Sequence, residues 1–330
     1  MEPSVSMLEL VQHNLLSPMV LGFALGVIAV VVKSDLRIPD GMYQGMSIYL
    51  LFAIGLRGGG ELAHAAPAQV LWPALATLAL GLATPVWVYG VLRLGRFSSV
   101  DAAALAAHYG SVSAVTFTTS LLFLETAGAP AEGFMPALVA LLELPAILVA
   151  LLLGRRAQAR AASKATSLRE VVREVFVGRT SLLLIGGLVA GFLSGPRGVE
   201  QVAPLFLAPF KGVLVLFLLE MGMVAARRLP DFKKVGAFLP IFAVVAPLVH
   251  GAIGVAMGKL AGLSLGGAAV LGTMAASASY IAAPIAVRSA LPEANPGYYV
   301  TASLAITFPF NLSLGLPLYV AFARALYGGG

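Results

Sequence analysis

The residues of this chain best suited to chemistry are hydroxyls and carboxylates set inside apolar sequence. Ser111-Val112-Ser113 and Ser277-Ala278-Ser279 each interrupt an Ala-rich run; Tyr109-Gly110 precedes the first, Tyr280 follows the second, and Thr116 lies one turn beyond Ser113. Ser side chains compete for backbone hydrogen bonds and Gly110 frees the backbone, so both runs predict a broken helix, with Pro284 strengthening the second. A helix that restarts after a break presents unsatisfied N–H groups and a positive dipole end. Two such ends meeting, near Ala114 to Phe117 and near Ile281 to Ile285, make a cradle for a small anion without any fixed cation. Ser111, Ser113, Thr116, Ser277 and Ser279 add hydroxyl donors. The alternative is that these Ser residues merely satisfy neighbouring helices or permit close packing. Their recurrence at equivalent positions of two halves favours the binding reading.

Carboxylates inside apolar spans are costly enough to count as functional candidates. Glu143 precedes Pro145, whose missing N–H leaves a backbone carbonyl free. Together they suit a cation such as sodium, or Glu143 suits a proton. Pro309 occupies the equivalent place in the second half with Thr307 and Asn311 on either side, which makes all three polar residues candidates for ion coupling. Glu220 is expected to be pinned to a neighbouring helix or to lie near the end of its span. His108 and His250 read as hydrogen-bonded packing residues. Asp101 follows Ser98 by three positions, the spacing of a capping box. Gly58-Gly59-Gly60 lacks the Lys-Ser/Thr of a nucleotide loop and reads as a turn. No span pair offers a metal cluster, a nucleophile with a matched base, or a phosphate loop, so no enzyme and no cofactor is expected.

These groups need a membrane around them. With 59% hydrophobic residues, 11% charged residues and a mean hydropathy of +0.93, the chain holds more apolar material than a soluble core can hide. Lipid is its main solvent. Spans of roughly 20 apolar residues are expected near 16–33, 42–56, 69–92, 99–124, 133–154, 180–195, 205–225, 235–259, 265–289 and 298–323. This is an all-α polytopic membrane protein of about ten transmembrane helices. The absence of Lys or Arg before Lys33 argues against a cleaved signal, and the absence of cysteine removes disulfides and thiolate metal sites.

A net charge of +6 would suggest nucleic acid in a soluble protein. Its distribution says otherwise. Sorted onto alternate sides of the spans, one side receives Lys33, Arg37, Arg93, Arg96, the 155–179 cluster, Arg227, Arg228, Lys233, Lys234 and Arg288. The other receives only Arg57, Arg197, Lys211, Lys259 and Arg324. The first side is cytoplasmic by the positive-inside rule, which leaves both termini outside a bacterial inner (plasma) membrane.

Residues 97–124 are similar to 263–290 at an offset of about 166. LFAIGL at 51–56 is similar to LLEMGM at 218–223. An odd number of spans per half turns the second half upside down, giving a 5+5 inverted repeat whose spans 4 and 9 are broken. The division is 1–154 for the first repeat, 155–179 for a cytoplasmic linker and 180–330 for the second. The Ala-rich, charged linker suits an amphipathic helix, either a regulator's docking surface or a segment held by anionic lipid. An inverted repeat with two breaks at the midplane is a transporter's signature.

The chain resembles the cyanobacterial sodium-dependent bicarbonate transporters over nearly its whole length. The resemblance rests on LSPMVLGFALG at 16–26, IGLRGGGEL at 54–62, MGM at 221–223, VVAPLVHG at 244–251 and LPEANPGYYVTASLAIT at 291–307. It implies core and gate domains, homotrimers, sodium-coupled bicarbonate uptake and control by a small PII-like protein. Departures fall in the breaks. Ser113-Ala114-Val115-Thr116 stands where the family resembles Ser-Gly-Ser-Thr, and Tyr280 follows Ser279 where the family usually carries an Asp. Glu143 replaces the usual Asp, and the family Glu after MGM is Val224. The expectation is alternating-access uptake of bicarbonate with sodium. The alternatives are transport or exchange of another small monoanion, proton-linked through Glu143, or an anion sensor that signals through the linker.

Overall fold

The computed structural model describes residues 7–159, 173, 177–230 and 236–328. A short helix α1 (Met7–Leu15) leads into α2 (Pro18–Val31), which opens on an N-cap Ser17 and a proline at its first position. Then come α3 (Asp40–Leu62), α4 (Pro67–Leu94), α5 (Ser99–Gly110), α6 (Ala114–Thr126) and α7 (Met135–Ala159). The second half contributes α8 (Arg179–Phe206), α9 (Phe210–Arg228), α10 (Phe238–Leu260), α11 (Leu265–Ala276) and α12 (Ala282–Ala290). The last helix, α13 (Pro296–Tyr327), widens into π-turns over Thr301–Thr307 and Asn311–Gly315, on either side of Pro309. Among the described residues, α4, α7, α8, α10 and α13 are long and apolar enough to cross a membrane.

The helices α5 and α11 start alike. Ser98 caps α5 by accepting from the Asp101 N–H at 3.0 Å, and Ser264 caps α11 by accepting from the Gly267 N–H at 3.0 Å. The packing exchanges partners between halves. α2 lies on α9, α3 lies on α8, and these four helices form one group. A second group is built from α4, α5 and α7 with α10, α11 and α13. Its core layer is Ala-rich: Ala102 to Ala107 of α5 and Ala268 and Ala269 of α11 have no exposed surface.

The structure departs from the expected elements in several places. Gly58-Gly59-Gly60 is not a turn but the last-but-one stretch of α3, which runs past 56 to Leu62. A methyl group on Gly59 would lie 2.1 Å from the Leu188 carbonyl oxygen, and one on Gly191 of α8 would lie 2.0 Å from that of Leu56. The glycines let two backbones touch, which lipid-solvated helices use in place of a hydrophobic drive. The span expected at 180–195 continues to Phe206 beyond a kink at Gly195 (φ 63°) before Pro196, and the next helix begins at Phe210 rather than 205. An unforeseen helix, α1, precedes the first span. Of the expected 155–179 linker, 155–159 extend α7, while 160–172 and 174–176 lie outside the described residues.

Candidate functional site

Each interruption is closed by its own side chains. Ser111 ends α5 in an extended conformation (φ −87°, ψ 178°). Ser113 then caps α6, its Oγ accepting from the Thr116 N–H at 3.1 Å and from the Thr116 hydroxyl at 3.0 Å. In the second half Ser277 ends α11 (φ −79°, ψ 162°), and its hydroxyl donates to the Met274 carbonyl at 2.8 Å. Ser279 Oγ accepts from the Ala283 N–H at 3.2 Å in the first turn of α12. Gly110 serves by absence rather than by flexibility, because a methyl group there would sit 2.5 Å from Pro85 Cγ.

The two interruptions are tied together. The Ser113 N–H donates to Ser277 Oγ at 2.9 Å, and the Ser279 N–H donates to the His108 carbonyl at 2.8 Å. The start of α6 therefore meets the end of α11, the approach to α12 meets the end of α5, and Ala114 and Ala282, at the starts of α6 and α12, line one cavity, where the leading N–H groups of both helices have no intrahelical acceptor. Glu143, 2% exposed, shares a cavity of about 10 Å³ with Ser113, Thr180, Ser279 and Tyr280, room for about one water. Among the described residues, Glu143 Oε1 and Thr180 Oγ1 have no hydrogen-bond partner, and the Tyr280 hydroxyl lies beside Ser113 without meeting bonding geometry. Ser111 Oγ, two residues before Ser113, is open as well. Buried polar groups left open around one cavity are costly unless something is bound there. The donor set is hydroxyl, carboxylate and N–H, and no group of three His, Cys, Asp or Glu occurs among the described residues.

Thr307 and Asn311 do not line that cavity. Thr307 instead meets the Tyr109 side chain before the first interruption, and Asn311 holds the helix end before the second. The Thr307 hydroxyl donates to the Ala243 carbonyl at 2.6 Å and meets the Tyr109 hydroxyl at 2.7 Å. Asn311 Nδ2 donates to the Ala276 carbonyl at 2.9 Å, and its Oδ1 accepts from the Tyr319 hydroxyl at 2.7 Å. The π-turns on both sides of Pro309 carry these two side chains toward α5 and α11.

His108 packs as expected, its ring stacked on Tyr299 at 4.5 Å and its Nδ1 2.7 Å from the Ala104 carbonyl. His250 meets Trp87 edge to face at 4.7 Å. Glu220, buried on α9, faces a separate cavity of about 360 Å³ with Arg37, Asp40 and Arg227.

The profile of the Na+-dependent bicarbonate transporter superfamily matches residues 18–324. The chain belongs to that superfamily. No curated protein matches the chain. The superfamily is one of transporters rather than enzymes, and its match covers both interruptions, Glu143 and the Thr307–Asn311 brace. Two residues of this region were missed in the sequence. Thr180 stands at the second position of α8, where an ordinary helix-start Thr gives no signal. Asn14 of α1 donates to the Leu312 and Ser313 carbonyls at 2.6 and 2.8 Å, tying the N-terminal helix to the second π-turn.

Proposed function

We propose that this chain is a secondary transporter that takes up bicarbonate with sodium by alternating access. The observation that carries the reading is the junction of the two interruptions, Ser113 to Ser277, beside a Glu143 carboxylate oxygen with no hydrogen-bond partner among the described residues. The anion sits between the starts of α6 and α12, held by their N–H groups and by Ser111, Ser113, Thr116, Ser277, Ser279 and Tyr280, with Gly110 making room. Sodium sits at Glu143 among hydroxyl and carbonyl oxygens.

Coupling follows from charge. Two negative charges about 4 Å apart repel by about 4 kcal/mol at an effective dielectric of about 20. Bicarbonate beside an ionised, uncompensated Glu143 is therefore disfavoured nearly a thousandfold, and sodium at Glu143 removes that penalty. Cation and anion then enter together, and a site loaded with the anion alone is too costly to cross. The exchange of partners between halves, α2 on α9 and α3 on α8, supports an inverted repeat. In this reading those four helices form the gate, and the second group, which contains α5 and α11, moves against it. Both termini lie outside the bacterial inner membrane, and we carry homotrimer formation and a PII-like regulator as parts of the proposal.

The test is radiolabelled bicarbonate uptake into proteoliposomes. Accumulation with an inward sodium gradient, absent when potassium replaces sodium, supports the proposal. Accumulation driven equally by a pH gradient alone reassigns Glu143 to a proton. Binding of label without counterflow makes the chain a sensor.

A further inference from the structure

A cavity of about 440 Å³ lies between α7, α8 and α12, and it adjoins the Glu143 cavity. Thr180 and Ala282 line both. Ile147, one helical turn past Glu143 on α7, lines the larger one, so a single face of α7 runs from one cavity into the other. Ser289 extends the matching face of α12, two turns beyond Ala282.

The chemistry of this space favours anions. α8, 28 residues long, opens onto it from Gly178, which has no side chain to cap the helix. The N–H groups of Arg179, Thr180 and Ser181 lack intrahelical acceptors and carry the positive end of the dipole. Arg173 and Arg179 line the same space, and among the described residues no carboxylate does. A second, independent feature points to a ligand: Thr180 Oγ1, on a residue only 6% exposed, has no partner among the described residues and lies in the wall common to both cavities. The two spaces differ in kind. The inner one has room for about one water and, among the described residues, no fixed cation, whereas this one admits an oxyanion with its hydration shell beside two guanidinium groups.

We propose that this cavity is a second anion site, an antechamber open to the cytoplasm. It receives the same class of small oxyanion as the central site, and the Thr180 hydroxyl passes that anion between them. The cytoplasmic assignment follows from Arg173 and Arg179 belonging to the cation-rich side of the chain. The proposal rests on the transport reading above. Its guanidinium groups attract anions through water, so its affinity falls with ionic strength more steeply than that of the central site.

The experiment compares bicarbonate flux with the anion supplied to the cytoplasmic face, in inside-out vesicles, and to the outer face, in right-side-out vesicles. Phosphatidylcholine alone forms the bilayer, so that no anionic headgroup competes. R179Q is expected to raise the half-saturating bicarbonate concentration at the cytoplasmic face by about fivefold and leave the outer-face value unchanged, whereas T180V, in the wall common to both cavities, raises it at both faces. T180S restores the unmodified value, and R179Q flattens the salt dependence at the cytoplasmic face. Unchanged cytoplasmic values in both R179Q and T180V overturn the proposal, as does an equal rise at both faces in R179Q. If the unmodified protein moves no bicarbonate from either face, the transport reading fails by itself. The antechamber is then judged by calorimetric titration with bicarbonate: weaker binding by R179Q sustains it, and binding equal to that of the unmodified protein overturns it.

Discussion

The Ser113 N–H donates to the Ser277 hydroxyl over 2.9 Å although 164 residues separate them. Ser277 also donates from that hydroxyl to the Met274 carbonyl, so one oxygen closes the end of α11 and anchors the start of α6. This tie adds to the one between the Ser279 N–H and the His108 carbonyl, so the two interruptions are fixed to each other at two points.

Ser277→Ala removes that oxygen and leaves the Ser113 N–H buried without an acceptor. Such an orphan costs about 1–3 kcal/mol. Thermal unfolding in detergent should show the loss, and the half-saturating anion concentration in uptake should rise. Unaltered values of both would mean that the junction does not organise the site.

Glu143→Gln keeps the shape of the side chain and removes its charge. With no carboxylate to neutralise, sodium should lose its hold while the anion cradle stays intact. Uptake is expected to become slow and independent of the sodium gradient, and stability in sodium-free buffer should not fall, since an unpaired buried charge is gone. A sodium-activation curve that matches the unmodified protein would return Glu143 to a structural role.

Thr307→Val strips the Tyr109 hydroxyl and the Ala243 carbonyl of a common partner. Thr307 does not line the Glu143 cavity, so the expected signature is a lowered maximal rate with little change in half-saturation, together with about 1–3 kcal/mol of lost stability. A shift confined to sodium affinity would place Thr307 in the cation site instead.

The helices and both interruptions were legible because lipid punishes unsatisfied backbone, so a small polar run inside an Ala-rich helix marks a place where protein or a cavity must satisfy it. Glu143 was legible for the same reason, as a carboxylate where charge is expensive. Thr180 was not, because its importance comes from the wall that α7 and α12 build opposite it. Thr307 and Asn311 were expected at an ion-coupling site, whereas their partners depend on π-turns that carry the side chains to α5 and α11, and nothing in local sequence states that rotation. The glycine triplet misled for a physical reason: in water three successive glycines mark a turn, whereas between lipid-solvated helices they mark contact.

That contact gives the sharpest test of the packing. Gly186 and Gly191 lie on α8, one with nothing within 4 Å of an added methyl group, the other with the Leu56 carbonyl oxygen 2.0 Å away. Gly186→Ala should be neutral or stabilising by up to about 1 kcal/mol, since alanine is the better helix former. Gly191→Ala must push α3 and α8 apart by about 1 Å, and overpacking of that kind costs about 1–3 kcal/mol. Because α8 carries Thr180 at its start, the displacement should also slow bicarbonate uptake. Thermal unfolding and uptake measured on the pair separate helix propensity from contact. Equal behaviour of the two variants would mean that α3 and α8 do not cross backbone to backbone.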